Sequence, residues 1–170
     1  MKSSNTAGRM PASRRTAGRA QDTHAIDPYK ARGKSSGPAV CAECGAVYEA
    51  GRWNWAPPPK AAEETICQAC HRARDKFPAG ILTIKGASAL AQKAEILRLA
   101  RHNEELEKKE HPLNRIMAID EGADSIVIST TDIHLPRRIA ESLRRAYHSD
   151  PVFDYDENSY FVRVTWEKTK

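Results

Sequence analysis

Cys41-Ala42-Glu43-Cys44-Gly45 and, further on, Ile66-Cys67-Gln68-Ala69-Cys70-His71 hold all four cysteines of the 170-residue chain. Two C-x-x-C pairs with 22 residues between them, 45–66, read as one tetrathiolate metal site. Zn²⁺ takes four thiolates in a tetrahedron, and a two-residue gap lets one tight turn offer two sulfurs to the same ion. Gly45 suits such a turn, because it accepts positive φ while backbone N–H groups approach the sulfurs. The expected ligands are Cys41, Cys44, Cys67 and Cys70, and the expected ion is a structural Zn²⁺.

Three other readings use the same residues. Cys67-Gln68-Ala69-Cys70-His71 spells a C-x-x-C-H haem-attachment motif. Haem attachment requires export, however; no export segment is expected here, and Cys41 and Cys44 would have no role. Iron is possible on the same four sulfurs, since Cys41-x-x-Cys44-Gly45-x-x-Tyr48 is similar to the first knuckle of rubredoxin. A pair of redox dithiols is set aside because neither C-x-x-C is expected to open a helix after a strand in a βαβ pattern.

Outward from the cysteines, Val47-Tyr48 and Arg52-Trp53-Asn54-Trp55 form a hairpin around Ala50-Gly51, with Trp53 and Trp55 expected on one face of a strand. In a unit with so little core the tryptophans are first of all core, although they can also stack on nucleobases. Pro57-Pro58-Pro59 ends the pairing, and a helical turn from His71 to Phe77 stops at Pro78. The four-cysteine zinc ribbon therefore spans 26–78. Within it Asp27-Pro28-Tyr29-Lys30 is a short turn whose aromatic ring can dock on the ribbon.

Charge is unevenly spread. The chain carries +5 overall, but 1–38 has eight Lys or Arg against two Asp, a local +6 that leaves −1 for the rest. Residues 1–25 are rich in Ser, Gly, Ala and Arg and lack the apolar surface that offsets ordering entropy, so they are expected to be a disordered basic arm. Arg9, Arg14, Arg15 and Arg19 then either neutralise nucleic-acid phosphates or keep the chain solvated. No apolar run reaches membrane-spanning length and no signal-peptide core is present, so a soluble cytoplasmic protein without membrane contact is expected.

Past the ribbon, Gly80 to Gly86 reads as a short strand, and Ser88 caps a long linking helix that reaches Glu110 before His111-Pro112. Its charged second half, with Glu104–Lys108 and Glu105–Lys109 pairs, reads as a solvated face. This 79–112 segment leads to 113–170, read as ββαββ: two apolar strand-length runs joined at 121–124, a helix capped by Thr131 or Asp132, and a second hairpin around 157–159. Tyr160, Val162, Val164 and Trp166 alternate with polar neighbours as in a half-buried strand. The fold class is α+β, and 113–170 is expected to bury a core of its own. On the helix Arg138 and Arg144 are a second candidate nucleic-acid patch, with Glu141 expected to pair Arg137 and Arg145. His111, His134, His148, Asp132, Asp154 and Asp156 fall in no recognised catalytic spacing, so no enzyme is expected.

Several stretches together resemble one known family: Asp27-Pro28-Tyr29-Lys30, Cys41-x-x-Cys44-Gly45-Ala46-Val47-Tyr48, Gly51-Arg52-Trp53-Asn54-Trp55, Cys67-x-x-Cys70, Gly80-Ile81-Leu82, His111-Pro112-Leu113, Thr131-Asp132-Ile133-His134-Leu135-Pro136-Arg137-Arg138-Ile139 and Tyr160-Phe161-Val162-Arg163. They are similar to a small bacterial zinc-ribbon family labelled as affecting ribosome stability and mRNA decay. That label comes from similarity to the NMD export adaptors of the large ribosomal subunit, whose zinc region has more C-x-x-C pairs than the two here. The resemblance implies the four cysteine ligands, association with RNA or the ribosome, and no catalytic residue. Arg52, Trp53 and Trp55 join the arm and helix arginines as candidate RNA contacts. The alternative is a zinc-stabilised adaptor that binds a protein partner and no nucleic acid.

Overall fold

Short strands and tight turns make up the cysteine-bearing part of the chain. β1 (Ala39–Cys41) pairs antiparallel with β2 (Val47–Glu49), β2 pairs with β3 (Arg52–Asn54), and β4 (Glu63–Thr65) lies parallel to β1. The order is β3-β2-β1-β4. α1 (Gln68–Asp75) follows with Cys67 as its N-cap, so the helix starts three residues before the expected His71. The Cys67 sulfur accepts the Cys70 amide at 3.4 Å and takes the place of a Ser or Asp cap. This computed structural model describes residues 27–30 and 37–168; the arm, with Arg9, Arg14, Arg15 and Arg19, lies outside the described residues. The Asp27–Lys30 turn docks on α1 as expected: Tyr29 Oη donates to Asp75 at 2.8 Å, and Arg72 pairs with Asp27 at 2.6 Å with its guanidinium over the Tyr29 ring.

The remaining elements are β5 (Gly80–Lys85), α2 (Ala87–Ala91), α3 (Lys93–Glu110), β6 (Ile116–Glu121), β7 (Ser125–Thr130), α4 (His134–Tyr147), β8 (Val152–Tyr155) and β9 (Val162–Glu167). The described residues are thus mixed α+β, with two sheets and four helices. The second sheet runs β6-β7-β5-β9-β8 and corrects the expected boundary at 112/113. β5 is its middle strand, antiparallel to β7 (Leu82 opposite Ile128, Ile84 opposite Ile126) and parallel to β9 (Leu82 opposite Val164, Ile84 opposite Trp166). The four strands after residue 113 do not meet as one sheet without it. Nor is α3 only a linker, because its Ile96 and Ala100 share one buried cluster with Leu135, Ile139 and Leu143 of α4 and the inward face of the sheet.

Local chemistry explains most element ends. Asp132 Oδ2 accepts the amides of His134 and Leu135 at 2.7 and 3.0 Å and caps α4, while Pro136 sits harmlessly in the first turn. Thr131 instead clasps the start of β6: its Oγ1 takes the Arg115 amide at 2.9 Å. The single helix expected from Ser88 is broken at Gln92, whose φ of −110° ends α2 before its carbonyl starts α3. α3 buries Ile96, Ala100, Asn103 and Glu107 at helical spacing, so its charged half is not wholly solvated. Glu104 accepts the Ile116 amide at 2.8 Å and Glu107 takes Asn114 and Arg138, in place of the expected lysine pairs. Val162, Val164 and Trp166 are buried on the expected period of two, but Tyr160 belongs to the loop before β9 rather than to the strand.

At Gly80 the sheet lies close against the start of α4. A Cβ there would lie 2.6 Å from Pro136 Cγ, 2.6 Å from Thr130 Oγ1 and 2.8 Å from the Asp132 carbonyl oxygen. Gly80→Ala should therefore lower stability by about 1–3 kcal/mol, read as a reduced Tm in a full-length thermal melt. An unchanged melt would mean the α4 N-terminus yields freely.

The Asp132 carboxyl is 4 % exposed, and its Oδ1 has no hydrogen-bond partner. Burial pushes it up to about 7, against the pull of the Leu135 and His134 amides. Its folded value lies above its unfolded one, so the folded state holds the extra proton between roughly pH 4 and 7. The stability this contributes is full below that window and is lost as pH rises through about 7. Asp132→Asn keeps an oxygen for both amides and cannot ionise. Between about pH 5.5 and 8 it should gain roughly 2 kcal/mol on the parent in chemical denaturation, at ~1.4 kcal/mol per unit. Parallel stability profiles would show that Asp132 ionises normally.

Candidate metal centre

The first half of the site is a turn. Cys41 ends β1; its carbonyl accepts the Gly45 amide at 2.9 Å and its amide donates to Ala46 at 2.8 Å. Gly45 takes φ +76°, the conformation this knuckle requires and that a side chain would strain. The second half is a helix start, with Cys67 capping α1 and Cys70 in its first turn. Cys67-x-x-Cys70 opens α1 after β4, but the strand that follows, β5, belongs to the other sheet, so the βαβ setting of a redox dithiol is not formed. What separates this site from a dithiol is the meeting of the two pairs.

All four sulfurs lie within 4.8 Å of one another. Cys41 Sγ is 3.8 Å from Cys70 Sγ, and Cys44 Sγ is 3.8 Å from Cys67 Sγ. A tetrahedron with metal–sulfur bonds of about 2.3 Å has an edge of about 3.8 Å. The cluster therefore fits a tetrahedral ion such as Zn²⁺. It leaves no separate pair for haem, since Cys67 and Cys70 face the other two sulfurs. Three of the four cysteines are buried, and no disulfide joins any of them.

Ionising such a group is costly unless a cation is at hand. Burial raises the Cys41 thiol, but amide donors, led by that of Cys67 at 3.3 Å, bring it down to about 7. Burial pushes Cys67 up to about 11, with the charges of Cys44 and Cys41 adding to it. Burial and the Cys67 charge drive Cys70 upward in the same way. A divalent ion amid the sulfurs reverses these shifts, as metal sites do with their thiols. The unit has little other core: Ala46 and Ala69 are buried with the cysteines, and Trp53, Ile66 and Leu113 pack around them.

Arg115, which sequence reasoning missed, reaches this cluster from the residue just before β6 of the other sheet. Its Nη2 lies 3.2 Å from Cys67 Sγ, 3.5 Å from Cys70 Sγ and 3.7 Å from Cys44 Sγ. It stands 45 or more residues from each of these cysteines, and no spacing announces it.

Among the described residues, the expected nucleic-acid contacts are scattered. Trp53 packs beside the cysteines, 5.4 Å from the Tyr48 ring. Trp55 leaves β3, so the two tryptophans do not share a strand face; its Nε1 donates to the Lys108 carbonyl at the end of α3. Arg52 is exposed. Arg138 is paired with Glu107, and Arg144 with Glu141 at 3.0 Å, which also replaces the expected Glu141 pairs to Arg137 and Arg145. A cleft of about 480 Å³ opens where the two sheets meet, between Tyr48 and Trp53 on one side and Asn114, His134 and Tyr160 on the other. No helix among the described residues is long and apolar enough to cross a membrane.

Full-length protein should carry one tetrahedral metal ion per chain, measured by elemental analysis. Cys41→Ser or Cys67→Ser should lower the content below half an equivalent. A strong chelator should abolish the structure of the small sheet, because metal binding worth ~10 kcal/mol or more is the folding energy of so small a unit. Retention of the small sheet's amide protection after complete metal removal would refute this. No family model, curated protein or solved structure matches this chain, so its function has to be read from the sulfur cluster and what surrounds it.

Proposed function

We propose that the chain is a non-enzymatic zinc protein in which a closed tetrathiolate site staples a small ribbon to an α+β body, and that it associates with RNA, in the first place that of the ribosome. The observation that carries the metal half is the four-sulfur cluster, held within 4.8 Å, two of whose edges at 3.8 Å match those of a zinc tetrathiolate. Four protein ligands leave no open position for substrate or water, which makes the ion structural rather than catalytic. Iron would fit the same sulfurs, and the metal analysis distinguishes the two.

The RNA half rests on charge. A local +6 over 1–38 precedes the first cysteine in sequence, while the remainder of the chain carries −1. Phosphate neutralisation needs accessible cations and no base-specific geometry. Arg138 and Arg144 are engaged by carboxylates and Trp53 and Trp55 by packing and a hydrogen bond, so the RNA contacts fall to the arm and Arg52. This agrees with the ribosome-linked family that the motifs resemble.

A protein adaptor is the second reading, favoured by one observation. Phe77 is 56 % exposed beside a depression of about 410 Å³ lined also by Pro78, Ile81 and Phe161.

Salt dependence separates the two. Deleting 1–25 removes Lys2, Arg9, Arg14, Arg15 and Arg19 against Asp22, a net +4. With about four fewer phosphates neutralised, the log–log salt slope for single-stranded RNA should flatten by roughly 3 units, taking ~0.7 per phosphate. Metal content should stay unchanged. An unchanged slope, or no RNA binding by the full chain at low salt, would turn the reading towards the adaptor, with Phe77→Ser the variant to test next.

A further inference from the structure

Four thiolates around a divalent ion retain two negative charges, and here they do so in a largely buried site. Donors to the sulfurs are therefore as much a part of the centre as the ligands. Cys41 Sγ accepts the Cys67 amide at 3.3 Å, and Cys67 Sγ accepts the Cys70 amide at 3.4 Å. Among the described donors, Cys44 and Cys70 are met by Arg115, whose Nη2 also touches Cys67. One guanidinium thus completes the set, so that each sulfur has a donor.

The arginine is held in place for this. Its amide donates to Thr131 Oγ1 at 2.9 Å, its carbonyl accepts the Thr131 amide at 2.9 Å, and the next amide, of Ile116, is fixed by Glu104 at 2.8 Å. Its backbone is therefore tied to the end of β7 and to α3 before the side chain leaves for the ribbon. Its Nε is buried with no partner, an arrangement that costs free energy unless the sulfur contacts offset it.

We propose that Arg115 is a positioning residue of the metal centre: seated on three sulfurs, it offsets the charge of the metal tetrathiolate and makes metal retention depend on docking of the ribbon against the larger sheet. This rests on the four-cysteine site holding a divalent metal. A guanidinium suits the role better than an ammonium, because it is planar, weakly hydrated and spreads its donors over a fixed fork. The contact also places part of the ribbon's stability outside the ribbon.

The test uses the full-length chain and its Arg115→Gln, Arg115→Lys and Trp55→Phe variants. Zinc content is measured as purified, zinc release is followed with a chromophoric chelator, and the sulfur-to-metal charge-transfer band is recorded after cobalt(II) substitution. Arg115→Gln should still take up one metal but release zinc about 10- to 100-fold faster, the usual reach of groups that support ligands. Its cobalt band should move to lower energy, because thiolates without the cation give up electrons more readily. Arg115→Lys should fall between the two in rate. Trp55→Phe, which loses only the indole bond to Lys108, should leave the band where it is. Equal release from Arg115→Gln and the parent, or an unmoved band, would overturn the proposal. So would equal acceleration in Trp55→Phe and Arg115→Gln with both bands unmoved, since the effect would then be docking alone. If Arg115→Gln does not fold, an Arg115→Lys release rate and band equal to the parent's would overturn it as well. A parent chain that binds neither zinc nor cobalt would instead remove the metal reading on which the proposal stands.

Discussion

Four sulfur atoms within 4.8 Å of one another cannot all carry charge unless something positive lies among or against them. Much of the molecule answers that constraint. The knuckle at Gly45 and the N-terminus of α1 bring backbone amides to the sulfurs, and Arg115 brings a full positive charge from a different sheet. The ribbon has no sizeable apolar core with which to hold its strands of three residues together. Its buried cluster is chiefly the cysteines, two alanines and the packed edge of Trp53. An ion bound there would do what a hydrophobic core does elsewhere.

The two sheets are joined at several chemically different points. Arg115 meets the sulfurs, Trp55 meets the end of α3, and Leu113 packs against the cysteine cluster. Elsewhere Arg72, 1 % exposed, leaves the ribbon helix to bond the Phe77 carbonyl, pair with Asp27 and lie near the Tyr160 ring. A buried guanidinium so enclosed strongly resists loss of any partner. The ribbon is better understood as a fitted part of one body than as a bead on a linker.

For nucleic acid, the geometry sorts the candidates rather than gathering them. The helix arginines Arg138 and Arg144 have carboxylate partners, and the outward face of the larger sheet carries Ile81, Thr83, Val127, Ser129, Arg163 and Thr165, with the Phe161 ring under Arg163 and the exposed Phe77 beside Ile81. The proposed RNA contact rests on charge, and the positive charge is concentrated before residue 38. Such a distribution favours phosphate contact without sequence preference, and it leaves the exposed Phe77 as the feature that phosphate contact does not use.

Local chemistry was legible in the residues themselves. C-x-x-C spacing, the glycine after the first knuckle, the Ala50-Gly51 turn, the Asp132 cap, the proline in the first turn of α4 and the alternation of β9 each depend on neighbours within a few positions. Partnership across the chain was not. Nothing in Gly80-Ile-Leu-Thr-Ile-Lys85 says that it will lie between β7 and β9, because a strand's alternation records which face is buried and not which strand lies beside it. Arg115 and Arg72 were equally unreadable, since a long cationic side chain looks the same on a solvated surface and against a buried cluster. The chain's order of residues determined that four sulfurs could share one ion; only the tertiary packing decided that the larger sheet would close over them and supply the counter-charge, because that contact spans up to 71 residues and depends on where two independent sheets come to rest.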